Sequence, residues 1–238
     1  MLLALDKVYK SYGSLVAISD ISLSVAEGEA LGIIGPNGAG KTTLFALMAG
    51  AIMPDSGRIL LDGQDITRMP AQKRCVAGIC RSHQVPQPFE KLTVFENLLV
   101  AACFGRNARE AEVHDACAEI LQRTALLTKA NRLGGSLTLL DRKRLEMARA
   151  LATKPRLLLL DEIAGGLTES ECTELLDTVR DIRRSGTTIV WIEHIVHALL
   201  AVVGRLVVLN YGRLIASGDP HAVLASPEVR EIYLGLSV

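Results

Sequence analysis

Two stretches of the chain carry side chains whose types and spacing suit work on a phosphorylated substrate. The first is Gly35-Pro36-Asn37-Gly38-Ala39-Gly40-Lys41-Thr42-Thr43, a Gly-x-x-x-x-Gly-Lys-Thr pattern. It comes directly after the apolar run ALGII and opens the helical run TTLFALMAG, the context this pattern requires. Its glycines let backbone N–H groups turn inward around β- and γ-phosphates, and the start of the next helix adds positive potential. Lys41 supplies a point charge to the phosphates, and Thr42 offers a hydroxyl to Mg²⁺. The second stretch, Leu157-Leu158-Leu159-Leu160-Asp161-Glu162, reads as a buried strand ending in two carboxylates. Ligands of such sheets gather at the carboxyl ends of the strands. Asp161 is expected to reach the Mg²⁺ shell, and Glu162 to orient or deprotonate an attacking water. A chance glycine turn and an acidic strand-end cap are the plain alternatives, and the two stretches together argue against both.

These groups need a scaffold. At 238 residues the chain is long enough for one or two domains with a sizeable core. Lys+Arg and Asp+Glu both total 26, a balance that argues against a nucleic-acid binder. The five cysteines, Cys75, Cys80, Cys103, Cys117 and Cys172, are scattered, with no paired spacing suited to zinc. They read as reduced thiols of a cytosolic protein. The N-terminus lacks a basic region followed by a long apolar run, and no stretch reaches the ~18 apolar residues of a spanning helix. Ala198 to Leu209 comes nearest and is broken by Gly204 and Arg205. Mean hydropathy is nonetheless +0.29, which points to apolar surface hidden against a partner such as a membrane protein.

Short β-like runs come first: Leu2–Val8, Ala17–Val25 and Ala30–Ile34. A helix follows Gly40, then short strands at Arg58–Leu61 and near Ile79. From about Val94 to Leu151 the pattern turns helical. Strand Leu157–Leu160, helix Glu169–Arg184, strand Thr187–Ile192, helix Ile195–Val203 and strand Leu206–Leu209 follow. Uniformly apolar short strands alternating with helices predict a buried parallel sheet. The expected class is α/β, with a helical insertion.

The phosphate loop, the acidic strand end and RKRLEMARALA (Arg142–Ala152) together resemble the nucleotide-binding subunits of ATP-binding-cassette transporters. The likeness runs over nearly the whole chain. It implies a P-loop NTPase (RecA-like) core with an N-terminal antiparallel β region and an inserted α-helical subdomain. The chain would be one ABC ATPase domain, 1–238, with residues 1–83 and 155–238 as core and 84–154 as the helical part. It implies ATP and Mg²⁺ as the bound species, with Gly35 through Thr43 around the phosphates. Tyr12, in KSYGSLVAI, falls where the family stacks an aromatic on adenine, although a packed surface aromatic is the alternative. Gln84, eight residues before Leu92, matches the glutamine that contacts Mg²⁺ or water and senses the γ-phosphate; Gln87 competes for that place. His194, ending TTIVWIEH, matches the histidine that touches the γ-phosphate.

The family's signature, LSGGQ, aligns with Leu137-Thr138-Leu139-Leu140-Asp141. In the family this helix start binds the γ-phosphate of ATP held by the opposite subunit. Thr138 keeps a hydroxyl and can cap the helix. Leu139 and Leu140 replace both glycines and are expected to crowd the phosphate, while Asp141 brings a negative charge near it. The alternative is that both leucines point into the helical subdomain and the backbone amides suffice. Ile163 and Thr168 are further departures, replacing a Pro and a polar Asp or Asn.

The resemblance therefore implies transmembrane permease subunits and a second ATP-binding subunit as partners, with a heterodimer favoured over a homodimer. It places the protein at the cytoplasmic face of the inner membrane as a peripheral subunit. FEKLTVFENLLVA (Phe89–Ala101) and SPEVREIYLG (Ser226–Gly235) are similar to branched-chain amino acid importers or related amide or urea importers. An ATP-hydrolysing importer subunit is the leading expectation. A regulatory cassette that binds ATP but hydrolyses it poorly, through its altered Leu137–Asp141, is the alternative.

Overall fold

The computed structural model describes residues 1–234, so Gly235, the last residue of the SPEVREIYLG ending, lies outside them. The chain opens with strands β1 (Leu3–Tyr12), β2 (Leu15–Val25) and β3 (Ala30–Ile34), then helix α1 (Lys41–Ala49). Next come β4 (Ser56–Leu61), β5 (Gln64–Asp65), α2 (Ala71–Val76) and β6 (Ile79–Arg81). Three helices follow: α3 (Val94–Arg106), α4 (Glu110–Arg123) and α5 (Leu139–Ala152). The chain then returns to alternation with β7 (Leu157–Asp161), α6 (Glu169–Arg184), β8 (Thr188–Ile192) and α7 (Val196–Leu200). Strands β9 (Arg205–Asn210) and β10 (Arg213–Gly218) and helices α8 (Pro220–Ala225) and α9 (Pro227–Leu234) complete it.

Two sheets result among the described residues. β2-β1-β4-β5 is antiparallel, and the order of the larger one is β10-β9-β3-β8-β7-β6, parallel except for β10. Strands β3, β7, β8 and β9 alternate between two cores, as period-2 side chains must. Leu31, Ile33, Leu157, Leu159, Val190 and Ile192 face the antiparallel sheet and α1. Ile34, Leu158, Leu160, Ile189 and Trp191 face α5, α6 and α7. Burial on both faces is why the strands read as unbroken apolar runs.

A third core, with Val94, Leu98, Val113, Cys117 and Leu121, holds the helical insertion together. Helix α5 belongs to two cores at once. Its Leu145, Ala148 and Ala152 face the insertion, while Leu140, Met147 and Leu151 face the parallel sheet. The expected α/β class and antiparallel β region are therefore present. The C-terminal hairpin strand β10 and the short helices α2, α8 and α9 were not anticipated, and the expected helix Ile195–Val203 shortens to Val196–Leu200.

Parallel pairing aligns the strand ends that matter. β3 lies between β8 and β9, and Asp161 at the end of β7 pairs in register with Ile192 of β8. The loop 35–40, the pair Asp161-Glu162 and the pair Glu193-His194 thus leave the sheet along one edge. The far end of α1 is fastened by Arg74, whose fully buried guanidinium donates to the carbonyls of Leu47 and Met48. Burial lowers its pKa to about 10, opposed by the charge of Asp65.

Candidate active site

The loop between β3 and α1 closes on itself through Lys41. Its buried ammonium donates to the carbonyls of Gly35 (2.7 Å) and Pro36 (3.0 Å). Burial pulls the Lys41 pKa below the ordinary lysine value, opposed by Glu162 and Asp161 nearby. Two glycines are obligatory for backbone reasons. A Cβ on Gly35 would lie 2.4 Å from the Leu209 carbonyl, and one on Gly40, at φ +101°, would lie 2.4 Å from the Ala17 carbonyl. Gly40 is also the N-cap of α1, and its side-chain-free position leaves the helix start open.

Tyr12, Asn37, Gly38, Ala39, Gly40, Lys41, Thr42, Thr43, Glu162 and His194 all border one cleft of about 280 Å³. Tyr12 is half exposed at its edge, with the Lys10 ammonium 5.5 Å from the ring centroid. The cleft is thus lined by an aromatic ring, the backbone of the phosphate loop with its lysine, and an acid–imidazole pair.

That pair is tight. His194 Nε2 lies 2.7 Å from Glu162 Oε1, and Gln84 Nε2 donates to the other oxygen of Glu162. Gln84 reaches the site from the loop between β6 and α3, whereas the backbone carbonyl of the competing Gln87 accepts from Arg149. Glu162 sits at φ +45°, a left-handed conformation uncommon for a residue with a side chain. Such strain persists where the surroundings over-determine it. The buried carboxylate of Asp161 pairs with Arg81 of β6 at 2.5 Å.

At the start of α5, Thr138 caps the helix as expected, its hydroxyl accepting from Asp141 N at 3.3 Å. The three substituted side chains then part. Leu140 turns into the core below the parallel sheet. Leu139 is 43% exposed, its Cδ2 3.4 Å from where a Cβ of Gly166 would sit. Asp141 corrects its expectation: it is 3% exposed and paired with Lys129 at 2.6 Å, so its charge is neutralised inside the insertion. Helical side chains lean back over the preceding turn, and here that direction leads Asp141 to Lys129. Of the two leucines, Leu139 is the one left exposed at the helix start, and Leu140 is buried. Thr168, read as a departure, has a local reason: with Glu171 it forms a reciprocal capping box on α6. Ile163 packs into the core.

A family model described as "ABC transporter" matches residues 18–165, which include the phosphate loop, the helical insertion and the acidic strand end. The chain belongs to the ABC transporter ATP-binding cassettes. A second model, "Branched-chain amino acid ATP-binding cassette transporter", matches residues 213–236. The high-affinity branched-chain amino acid transport ATP-binding protein LivG of Escherichia coli is 36% identical over 251 residues, covering 98% of each chain. The lipopolysaccharide export system ATP-binding protein LptB of Haemophilus influenzae is 33% identical over 234 residues, covering 98% of this chain and 97% of its own. The ADP conformation of an ATP-binding cassette of an ABC transporter superimposes with a TM-score of 0.90 at 32% identity, covering 99% of each chain.

ABC cassettes bind ATP, hydrolyse it, dimerise and work with transmembrane permease subunits, and this chain shares their fold over its length. No helix among the described residues is long and apolar enough to cross a membrane. Thr42, Asp161 and Gln84 each carry an oxygen donor of the kind Mg²⁺ takes, the Asp161 carboxylate being paired with Arg81 here. Two residues at the site escaped sequence reasoning. Arg81 left no signal beyond an arginine closing a short strand. Glu193 did: an acid ending the apolar run TTIVWI must find partners when buried. It is 1% exposed, and burial raises its pKa despite backbone hydrogen bonds that pull the other way.

Proposed function

We propose that this cassette hydrolyses ATP to energise uptake of branched-chain amino acids, or a related amide or urea, through membrane permease subunits. The observation that carries the hydrolytic part is the convergence of Gln84, Glu162 and His194 beside the phosphate loop. In this reading Tyr12 stacks on the adenine, and Gly35 to Thr43 surround the phosphates with Lys41 as the charged member. Glu162 orients and deprotonates the attacking water, His194 holds Glu162 and approaches the γ-phosphate, and Gln84 reports its presence to the insertion. Thr42, Gln84 and Asp161 would hold Mg²⁺, which when bound draws charge from the phosphate oxygens. An ordered acid–imidazole pair supports this reading over that of a regulatory cassette that hydrolyses poorly.

The solute class is supported by the match over residues 213–236 and by the likeness to LivG. The likeness to LptB makes export of lipopolysaccharide the comparison to test. As an ABC transporter subunit the protein works at the cytoplasmic face of the membrane. Exposed Val85, Phe89 and Phe104 on and beside the insertion offer apolar surface to a permease. The second cassette is proposed to be a different chain. Thr138 and the amides of α5 remain, but Leu139 stands over that helix start, so two copies of this chain would form two weakened sites.

Two measurements test this. Glu162→Gln is expected to lower turnover by about 10²-fold or more while nucleotide still binds. Equal turnover in the two proteins would overturn the hydrolytic assignment. The cassette, reconstituted in vesicles with the permeases encoded beside it, is expected to hydrolyse ATP faster when leucine is delivered by its binding protein. Stimulation by lipopolysaccharide instead would overturn the solute assignment.

A further inference from the structure

A buried charged brace lies behind the Glu162–His194 pair. Glu193 directly follows β8 and directs its carboxylate into the protein. One oxygen accepts from Ala164 N at 2.7 Å, and the other accepts from His194 N at 3.0 Å and Ile195 N at 3.5 Å. Ala164 lies two residues after Glu162, on the loop that carries it. One carboxylate therefore ties the backbone bearing Glu162 to the backbone bearing His194. Lys143 of α5, 4% exposed, completes the arrangement. Its ammonium donates to the Glu162 carbonyl at 3.4 Å and lies within the field of both Glu193 and Glu162. Neither residue borders the nucleotide cleft.

We propose that Glu193 is a positioning residue for the Glu162–His194 pair, and that Lys143 links this brace to α5. The inference rests on the hydrolytic reading of Glu162 above. Both oxygens of Glu193 face N–H donors, so the site requires a carboxylate: an amide in its place would turn an NH₂ toward a backbone N–H. Holding two reacting groups in a fixed relation is worth a large factor in rate and leaves substrate binding unchanged. Lys143 gives α5 a direct route to the same backbone, because a displacement of the helix moves an ammonium hydrogen-bonded to the Glu162 carbonyl.

The test is single-turnover hydrolysis by the full chain, with nucleotide affinity measured in parallel. Glu193→Gln is expected to lower the rate about tenfold or more with affinity within about twofold of the parent. In a His194→Ala background the same change is expected to add little, because its effect passes through His194 and Glu162. A rate within twofold of the parent overturns the proposal. So does an effect fully additive with His194→Ala, or a fall in affinity matching the fall in rate. Should Glu193→Gln not fold, Lys143→Gln carries the same test with the same criteria. If Glu162→Gln abolishes turnover while both brace variants behave as the parent, the brace fails and the hydrolytic reading stands. If Glu162→Gln is itself silent, the hydrolytic reading fails first.

Discussion

Two helix starts in this molecule offer the same backbone chemistry and are made from opposite materials. α1 begins after Gly38-Ala39-Gly40, and α5 begins with Thr138-Leu139-Leu140-Asp141. Both have unpaired N–H groups and the positive end of a dipole. At α1 the backbone itself is the surface: Gly40 caps without a side chain, and the helix start opens on the cleft. At α5 the cap is a Thr hydroxyl, Leu140 is buried, Asp141 is consumed by Lys129, and Leu139 stands exposed at the rim. The comparison teaches that a helix dipole makes an anion site only where the first turn leaves room for the anion. Of the four substituted positions at the start of α5, Leu140 and Asp141 are buried and Leu139 is exposed.

The largest expected effect is at α1. Lys41→Ala is expected to lower ATP turnover by about 10²- to 10³-fold and to weaken binding of a fluorescent nucleotide. An unaffected protein would remove the basis for calling α1 the intact half of the comparison. Next comes Leu140→Gly, which empties a core position in the first turn of α5. A stability loss of about 3–4 kcal/mol is expected in urea melts. A loss under about 1 kcal/mol would mean that Leu140 shares the exposed fate of Leu139.

Leu139→Gly is the sharper half of that pair. It is expected to cost about 1 kcal/mol in stability and to increase ATP-driven dimerisation of the Glu162→Gln protein, measured by sedimentation. No gain in dimer would show that Leu139 does not restrict the helix start. The smallest effect is expected for Asp141→Asn. Its partner Lys129 is about a third exposed, so a loss of about 1 kcal/mol or less is expected, with nucleotide affinity unchanged. A rise in affinity would place the Asp141 charge back at the phosphate.

Much of the site was legible because it is written in local backbone chemistry. The spacing of Gly35, Gly40, Lys41 and Thr42 codes a loop whose shape depends on missing side chains. Glu162 and His194 end apolar runs, and the ends of parallel strands meet at one edge. The class and the insertion were legible for the same reason, since unbroken apolar strands and periodic helices differ in pattern. What was not legible depends on partners distant in sequence. Asp141 was expected at the phosphate because nothing local shows that Lys129 waits behind it. Asp161 gave no hint of Arg81, eighty residues earlier on a neighbouring strand. Glu193 is a single acid in an apolar run, and its three N–H donors exist only once two loops have come together.

By itself, then, the order of residues determined where backbone amides face an anion, which strands are buried on both faces, and which acids end them. Those are properties of a few neighbouring residues and of steric rules that hold in any chain. Tertiary structure alone decided that Leu139 is outside and Leu140 inside, that Asp141 is neutralised, and that Glu193 joins Glu162 to His194. Each of these depends on which distant surface packs against a given side of a helix or strand, and burial converts that contact into a hydrogen bond or a charge pair.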